Sequence, residues 1–361
     1  MNPSETVFSS PAGPAFRLGV LDQSPVPAGS TSAEALRHSV DLAILADQLG
    51  YHRYWVAEHH GTPMLACASP EALIGPIASV TERLRVGSGG IMLPHYSPLK
   101  VTETFTMFSG LFPGRIDLAV GRAPGSDPLT AFALQRDRRQ RAPDDFPAQL
   151  TELIGYVEKT LPAGHTFARL ANLPGAPEKP DLWLLGSSAQ SALWAAEFGL
   201  PYAFADFITP TGAALAATYR ERFQPNARQS KPRVIAAVSA ICAETNAEAQ
   251  RIAASWRMVF TLFQRGQLLP VPPVNEALRF LAEQGLPLDA SPAGRRAIVG
   301  DPATVRAGLE AVARDYGADE IMVVTIAHEH AARRRSYELI AEAFGLDSPA
   351  GERAAAAGDG R

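Results

Sequence analysis

The sequence predicts an α/β fold: a parallel (β/α)8 TIM barrel with insertions after strands four and seven. Three observations carry that expectation. Short apolar runs alternate with amphipathic helical stretches along almost the whole chain. Eight such runs occur, each followed by helix, which suits a closed parallel barrel. The runner-up, a doubly wound sheet, normally carries a G-x-G-x-x-G turn after a strand, and none is found. The nearest candidate, Gly87-Ser88-Gly89-Gly90, lies inside an apolar run that continues through Ile91, Met92 and Leu93.

The elements follow in order. Residues 16–21 (FRLGVL) form strand one. Residues 32–49 form a helix, with Leu36, Val40, Ala43, Leu45 and Leu49 near 3.6-residue spacing and Gly50 closing it. Strand two is 54–57 and its helix 70–81; strand three is 84–93 and its helix 98–111; strand four is 116–120. An irregular insertion, about 123–147, contains Pro, Gly and the basic run RDRRQR, with a helical piece. Helix resumes over 148–161, and a proline-rich connector runs to 180. Strands five (182–185), six (202–205) and seven (233–243) are followed by helices 188–198, 211–223 and 246–264. A second insertion, 265–297, is rich in Pro and Gly, with a helical piece near 275–283. Helix 302–316, strand eight (320–324) and helix 331–344 complete a single barrel domain over 16–346. Residues 1–15 read as a disordered leader and 347–361 as a disordered tail.

Composition narrows the function. The 361 residues are 46% hydrophobic and 19% charged, with net charge −4, so no electrostatic case exists for nucleic acid or an anionic membrane as partner. Cys67 and Cys242 are the only cysteines, too few for a disulfide framework, and a reducing cytoplasm fits. No apolar run approaches the roughly 20 residues of a membrane span.

Barrel chemistry collects where strands end. The polar residues there are Asp22, Gln23 and Ser24; Glu58, His59 and His60; Ser88, Gly89 and Gly90, then His95; Arg122; Ser187, Ser188 and Ser191; Asp206; and Thr325 with His328. In LLGSSAQSALWAA, a glycine and two serines open an Ala-rich helix. Its free N–H groups and hydroxyls suit a phosphate, while simple capping by Ser187 or Ser188 is the bland alternative. Arg122 could add a charge-assisted bond to the same phosphate, or make a surface ion pair. Two glycines mid-strand in LRVGSGGIML mark either a flat ligand lying close or plain barrel curvature.

The stretch YWVAEHHGTP holds two of the chain's eight histidines. Adjacent side chains on an extended segment point opposite ways, which argues against one shared metal ion. An acid/base histidine and a hydrogen-bonded structural pair remain open.

Together these stretches resemble the flavin-dependent luciferase-like monooxygenases, the superfamily of bacterial luciferase and particularly its single-chain members. The resemblance is carried by LGVLDQSPV, LGYHRYWVAEHHG, ASPEALIGPIASVTERLRVGSGGIMLPHYSPLKVTETF, LFPGRIDLAVGRAPGSD, LLGSSAQSALWAAEFGLPYAFADF and IVGDPATVRAGL…GADEIMVVTIAH. It spans most of 17–344, and is poor over 123–180 and 265–297. It implies a (β/α)8 barrel with reduced FMN at its C-terminal mouth. The phosphate would meet Arg122, Ser188 and Ser191, with Ser187 nearby. The flavin ring would lie against Ser88, Gly89 and Gly90. A non-proline cis peptide would fall at Ser88–Gly89 or Gly89–Gly90, the second preferred because neither residue has a side chain to clash. The catalytic histidine of the family's EHH motif maps to His59. Asp22, Glu58, His60, His95 and Phe207 would form the substrate side or support it. One departure stands out: luciferase has a histidine before the proline after strand three, where this chain has Ser97, with His95 two residues earlier.

The activity implied is monooxygenation of a small organic substrate by O2 through a C4a-(hydro)peroxyflavin. A separate flavin reductase would supply the FMNH2, since no nicotinamide fingerprint is present. The insertion 265–297 would act as a lid. No metal is expected. The resemblance also implies a homodimer, with Leu73, Ile77, Phe105 and Phe108 as candidate interface residues, ordinary barrel packing being the alternative. Three rivals are kept: an F420-dependent hydride-transfer enzyme on the same barrel, a non-catalytic flavin-binding protein, and a metal-dependent barrel hydrolase.

Overall fold

The computed structural model describes residues 16–123, 125–135, 137–140, 144–170, 172–292 and 294–346. The expected leader and tail lie outside these residues. Among the described residues nine parallel strands form one sheet: β1 (Arg17–Asp22), β2 (Arg53–Val56), β3 (Arg85–Met92), β4 (Ile116–Gly121), β5 (Asp181–Gly186), β6 (Tyr202–Ala205), β7 (Val234–Cys242), β8 (Ala297–Gly300) and β9 (Glu320–Val324). Neighbouring strands run β6-β5-β4-β3-β2-β1-β9-β7, and β6 pairs with β7, which closes an eight-stranded (β/α)8 barrel.

The ninth strand corrects the sequence reading. β8 pairs with the far half of β7, Ser239–Cys242, while β9 pairs with the near half, Ile235–Ser239. β7 therefore outgrows the barrel, and β8 covers its protruding end. The second insertion holds the helix, and the extra strand begins at its last residue, Ala297.

Eleven α-helices are described. They are α1 (Ser32–Leu49), α2 (Pro70–Ser79), α3 (Pro98–Leu111), α4 (Pro128–Leu134), α5 (Phe146–Glu158), α6 (Ala189–Glu197), α7 (Ala213–Arg222), α8 (Asn246–Gln264), α9 (Val274–Glu283), α10 (Pro302–Tyr316) and α11 (His330–Phe344). Local chemistry sets their ends. Thr31 caps α1, and Gly50 ends it at φ +85°, its N–H donating to Ala46 and Asp47.

Strand alternation sorts the core into two layers. Val20, Tyr54, Val86 and Leu118 face the helices. Leu21, Trp55, Ala119, Trp183 and Met322 fill the lumen. The proposed interface side chains belong to the first layer: Leu73, Ile77 and Phe105 are buried, and Phe108 packs against them. Leu73, Ile77 and Phe105 serve barrel packing, and Phe108 is partly buried against them. Val80, Met107 and Leu111 are the exposed apolar side chains at this part of the surface. Among the described residues no helix is long and apolar enough to cross a membrane.

Candidate active site

The C-terminal mouth of the barrel opens into a cavity of about 440 Å3. Its walls are mostly apolar and come from the lumen layer, including Leu21, Trp55, Ile235 and Met322. That size suits a small-molecule or cofactor site. Of the expected site residues, the structure brings Glu58, His59, Gly89, Arg122, Ser187, Ser188, Ser191 and Phe207 to this cavity.

β2 alternation carries Trp55, Ala57 and His59 to the cavity. The His59 backbone N–H donates to Cys67 at 2.9 Å, fixing the loop after the strand. Its Nδ1 is buried without a hydrogen-bond partner among the described residues. Burial, with a lesser contribution from His60, lowers its pKa from 6.5 to about 4. The ring is thus neutral at physiological pH, with one nitrogen in reserve. Glu58 has one oxygen 2.8 Å from His60 Nε2, and the other accepts from the Met92 N–H at 3.0 Å. Burial raises the Glu58 pKa, against the pull of those two hydrogen bonds. The carboxylate ties the end of β2 to the end of β3.

β3 explains its glycines. The Gly89–Gly90 peptide is cis, and the register with β4 shifts between Gly89 and Ile91. A Cβ on Gly89 would lie 2.5 Å from Leu21 and 2.9 Å from Trp55. A Cβ on Gly90 would run into Leu185 and lie 2.7 Å from the Ala119 carbonyl. Close protein packing at a bulge therefore requires these glycines.

At the α6 N-terminus, Ser188 and Ser191 form a capping box, and Ser191 Oγ also lies 2.9 Å from the Tyr202 hydroxyl. Capping and cavity lining coexist here. Ser187 lines the cavity and makes no side-chain hydrogen bond among the described residues. Arg122 sits beside them, pairing with Asp144 at 2.8 Å, its guanidinium 5.6 Å from the Trp194 ring centroid. Both ion-pair partners are about half exposed, at 47% and 61%, so this bond yields readily to a buried anion. A cation, a hydroxyl and a helix start thus border an apolar chamber, an arrangement that fits a phosphate joined to a flat ring system.

Five expected residues do not line the cavity. Asp22 points the other way, into a buried network with Arg333 at 2.6 Å and the Tyr54 hydroxyl at 2.5 Å. Alternation puts Gln23 on the cavity instead. Ser88 also faces away, donating to the Ala119 carbonyl at 2.9 Å. Gly90 is shut in by Leu185 and Ala119. His60 turns to Glu58, and His95, on a 3-10 turn at Leu93–His95, meets His60 edge-on at 5.8 Å. The expected lid, 265–297, contributes no cavity wall among its described residues. It docks instead through Arg295 to the Phe207 carbonyl at 3.1 Å and through Arg296 to Asp206.

Sequence reasoning had named Gln23 among the strand ends without choosing it. It did not find Trp55, Trp194 or Met322, which carry no polar signal. Among the described residues no three His, Cys, Asp or Glu side chains gather as a metal-ligating group.

Comparison with known proteins defines the class. The family model for luciferase-like monooxygenases matches residues 16–320. The chain belongs to that family. It is 41% identical to a luciferase-like monooxygenase of Escherichia coli, over 89% of this chain and 95% of the relative. It is 35% identical to an N-acetyl-S-alkylcysteine monooxygenase of Bacillus subtilis, over 91% and 98%. The solved structure of apo-MsnO8 is 42% identical, with a TM-score of 0.83, covering 92% of this chain and 99% of that one. Two more distant structures show the fold alone. One is the oxygenating constituent of 3,6-diketocamphane monooxygenase from Pseudomonas putida in complex with FMN (18%, TM-score 0.69, covering 92% and 99%). The other is an F420-dependent secondary alcohol dehydrogenase (15%, TM-score 0.63, covering 91% and 99%).

Proposed function

We propose that this chain is the oxygenase half of a two-component flavin monooxygenase, taking reduced FMN from a separate reductase. The observation that carries the reading is one cavity that joins Arg122 and the α6 N-terminus to an apolar chamber holding a neutral His59 with a buried, unpartnered Nδ1. Ser187, Ser188, Arg122 and the first turn of α6 would hold the phosphate, with Ser191 bracing Ser188. Reduced FMN, when bound, supplies the two electrons that reduce one oxygen atom of O2 to water while the other enters the substrate. The apolar walls exclude water from the reaction. His59, neutral at pH 7, can accept or return a proton through Nδ1. Phe207 and the lumen side chains favour a small, largely apolar substrate. N-acetylated thioethers are the natural first panel, given the name of the B. subtilis relative.

The test combines binding and turnover. The purified chain is titrated anaerobically with FMNH2 and with reduced F420, then supplied with a flavin reductase, O2 and the thioether panel. Preferential FMNH2 binding and substrate oxygenation are expected. Preference for F420, or flavin binding with no turnover on any panel, overturns the reading.

A homodimer is proposed alongside, seated on the exposed Val80, Met107 and Leu111.

A further inference from the structure

A second cavity, about 690 Å3, lies at the opposite, N-terminal end of the barrel. Two tryptophans separate it from the mouth. Trp55 lines the mouth and Trp183 the floor, their rings edge-to-face at 5.6 Å.

At the floor, hydrogen-bond donors exceed acceptors. The nearby carboxylates are already engaged. Asp117 accepts from Arg53, Arg85 and the Trp55 indole. Glu320 accepts from Arg53 at 2.9 Å, Asp181 pairs with Arg85 at 2.9 Å, and Asp319 accepts the Val234 N–H at 2.8 Å. Among the described residues two buried donors of cavity-lining residues are left over: Arg53 Nη2 and Trp183 Nε1. Arg233 also lines the cavity. Its guanidinium stacks 4.6 Å from the Trp183 ring centroid and makes no ion pair among the described residues. His52 lies at the same floor; burial is the first cause of its pKa falling to about 3, with Arg53 and Arg17 adding to the fall and Asp117 opposing it.

A buried guanidinium N–H with no acceptor is costly, and an anionic oxygen satisfies it best. We propose that the floor cavity binds a small oxyanion, a phosphate or a carboxylate, held by Arg53 Nη2 and Arg233 with the Trp183 indole as a third donor. This inference does not depend on the proposed activity at the mouth. Asp117 joins Arg53 to the Trp55 indole, so an anion at the floor also reaches a wall of the mouth cavity.

The test uses the full chain, with inorganic phosphate and acetate as separate probes at constant ionic strength, read by thermal midpoint and tryptophan fluorescence. An Arg122→Met/Ser188→Ala protein serves as a second background, because phosphate can also occupy the mouth. A saturable rise in midpoint of a few degrees with a fluorescence change is expected in both proteins. Arg233→Met should abolish it, and Arg233→Lys should keep part of it, which separates lost binding from lost folding. Stronger response to phosphate assigns that class, and stronger response to acetate assigns a carboxylate. The proposal is overturned by a non-saturating response, by one that Arg233→Met leaves unchanged, or by one that disappears in the Arg122→Met/Ser188→Ala protein.

Discussion

His59 and His60 are neighbours with opposite surroundings. One presents a buried, unpartnered nitrogen beside an apolar cavity, and the other is bound to Glu58. His59→Ala should retain flavin binding yet reduce coupled turnover by about 10^2- to 10^4-fold, the range for loss of one acid/base group. Unchanged turnover would remove His59 from the chemistry. The lowered pKa also sets a direction. A ring that titrates near 4 keeps its proton-accepting form at every pH above that, so the acid limb of kcat/KM in the free enzyme should fall near pH 4 and not near 6.5. Arg122→Met should weaken FMN binding by about ten-fold or more, because a bond to a charged phosphate contributes roughly 1.5–3 kcal/mol; fluorescence titration measures it. Asp22 shows the limit of reading residues singly. It sits at a strand end and is polar, yet its partner is Arg333, 311 positions away.

At the scale of elements, most boundaries were legible because their causes are local. Helices α3, α8 and α10 begin and end where apolar spacing, Pro at the first turn, and caps place them. β8 was not legible. Its four residues, AIVG, show no alternation, and their pairing exists only because β7 runs past the barrel rim. The β3 glycines were visible in the sequence, but their reason was not: a Cβ would meet Leu21 and Trp55 at Gly89, and Leu185 and Ala119 at Gly90, all from other strands. Gly89→Ala should therefore cost about 1–3 kcal/mol as overpacking, read by urea denaturation. Loss of Arg53 should be worse. Arg53→Met leaves Asp117 and Glu320 buried with reduced or no compensation, and should destabilise the fold by about 3–5 kcal/mol.

For the whole molecule, His52 and His59 make stability fall with acid. In the unfolded chain both titrate near 6.5, while folding holds them at about 3 and about 4. Below pH 6.5 the unfolded state takes up protons that the folded state refuses, so stability drops as pH falls from 6.5 toward 4. Asp22 and Asp117, lowered despite burial by Arg333 and Arg53, extend the loss below the ordinary carboxylate range. Thermal midpoints at pH 7, 5 and 4 should decline in that order. Leu111, 68% exposed on α3, belongs to the same scale: Leu111→Asp should shift a dimer to monomer by sedimentation, and no shift would remove this face from the interface. The sequence by itself determined the eight barrel strands, the helices between them and the barrel class. These rest on periods of 2 and 3.6 residues that a short window contains; alternation separates His59 from His60, and only the family resemblance favoured His59. Only the tertiary structure decided the rest: that Gln23 and not Asp22 faces the cavity, that β8 exists, and that Arg53, Asp117 and Glu320 meet at the floor. Those outcomes depend on strand register around a closed barrel, where a shift of one residue turns every side chain to the other face.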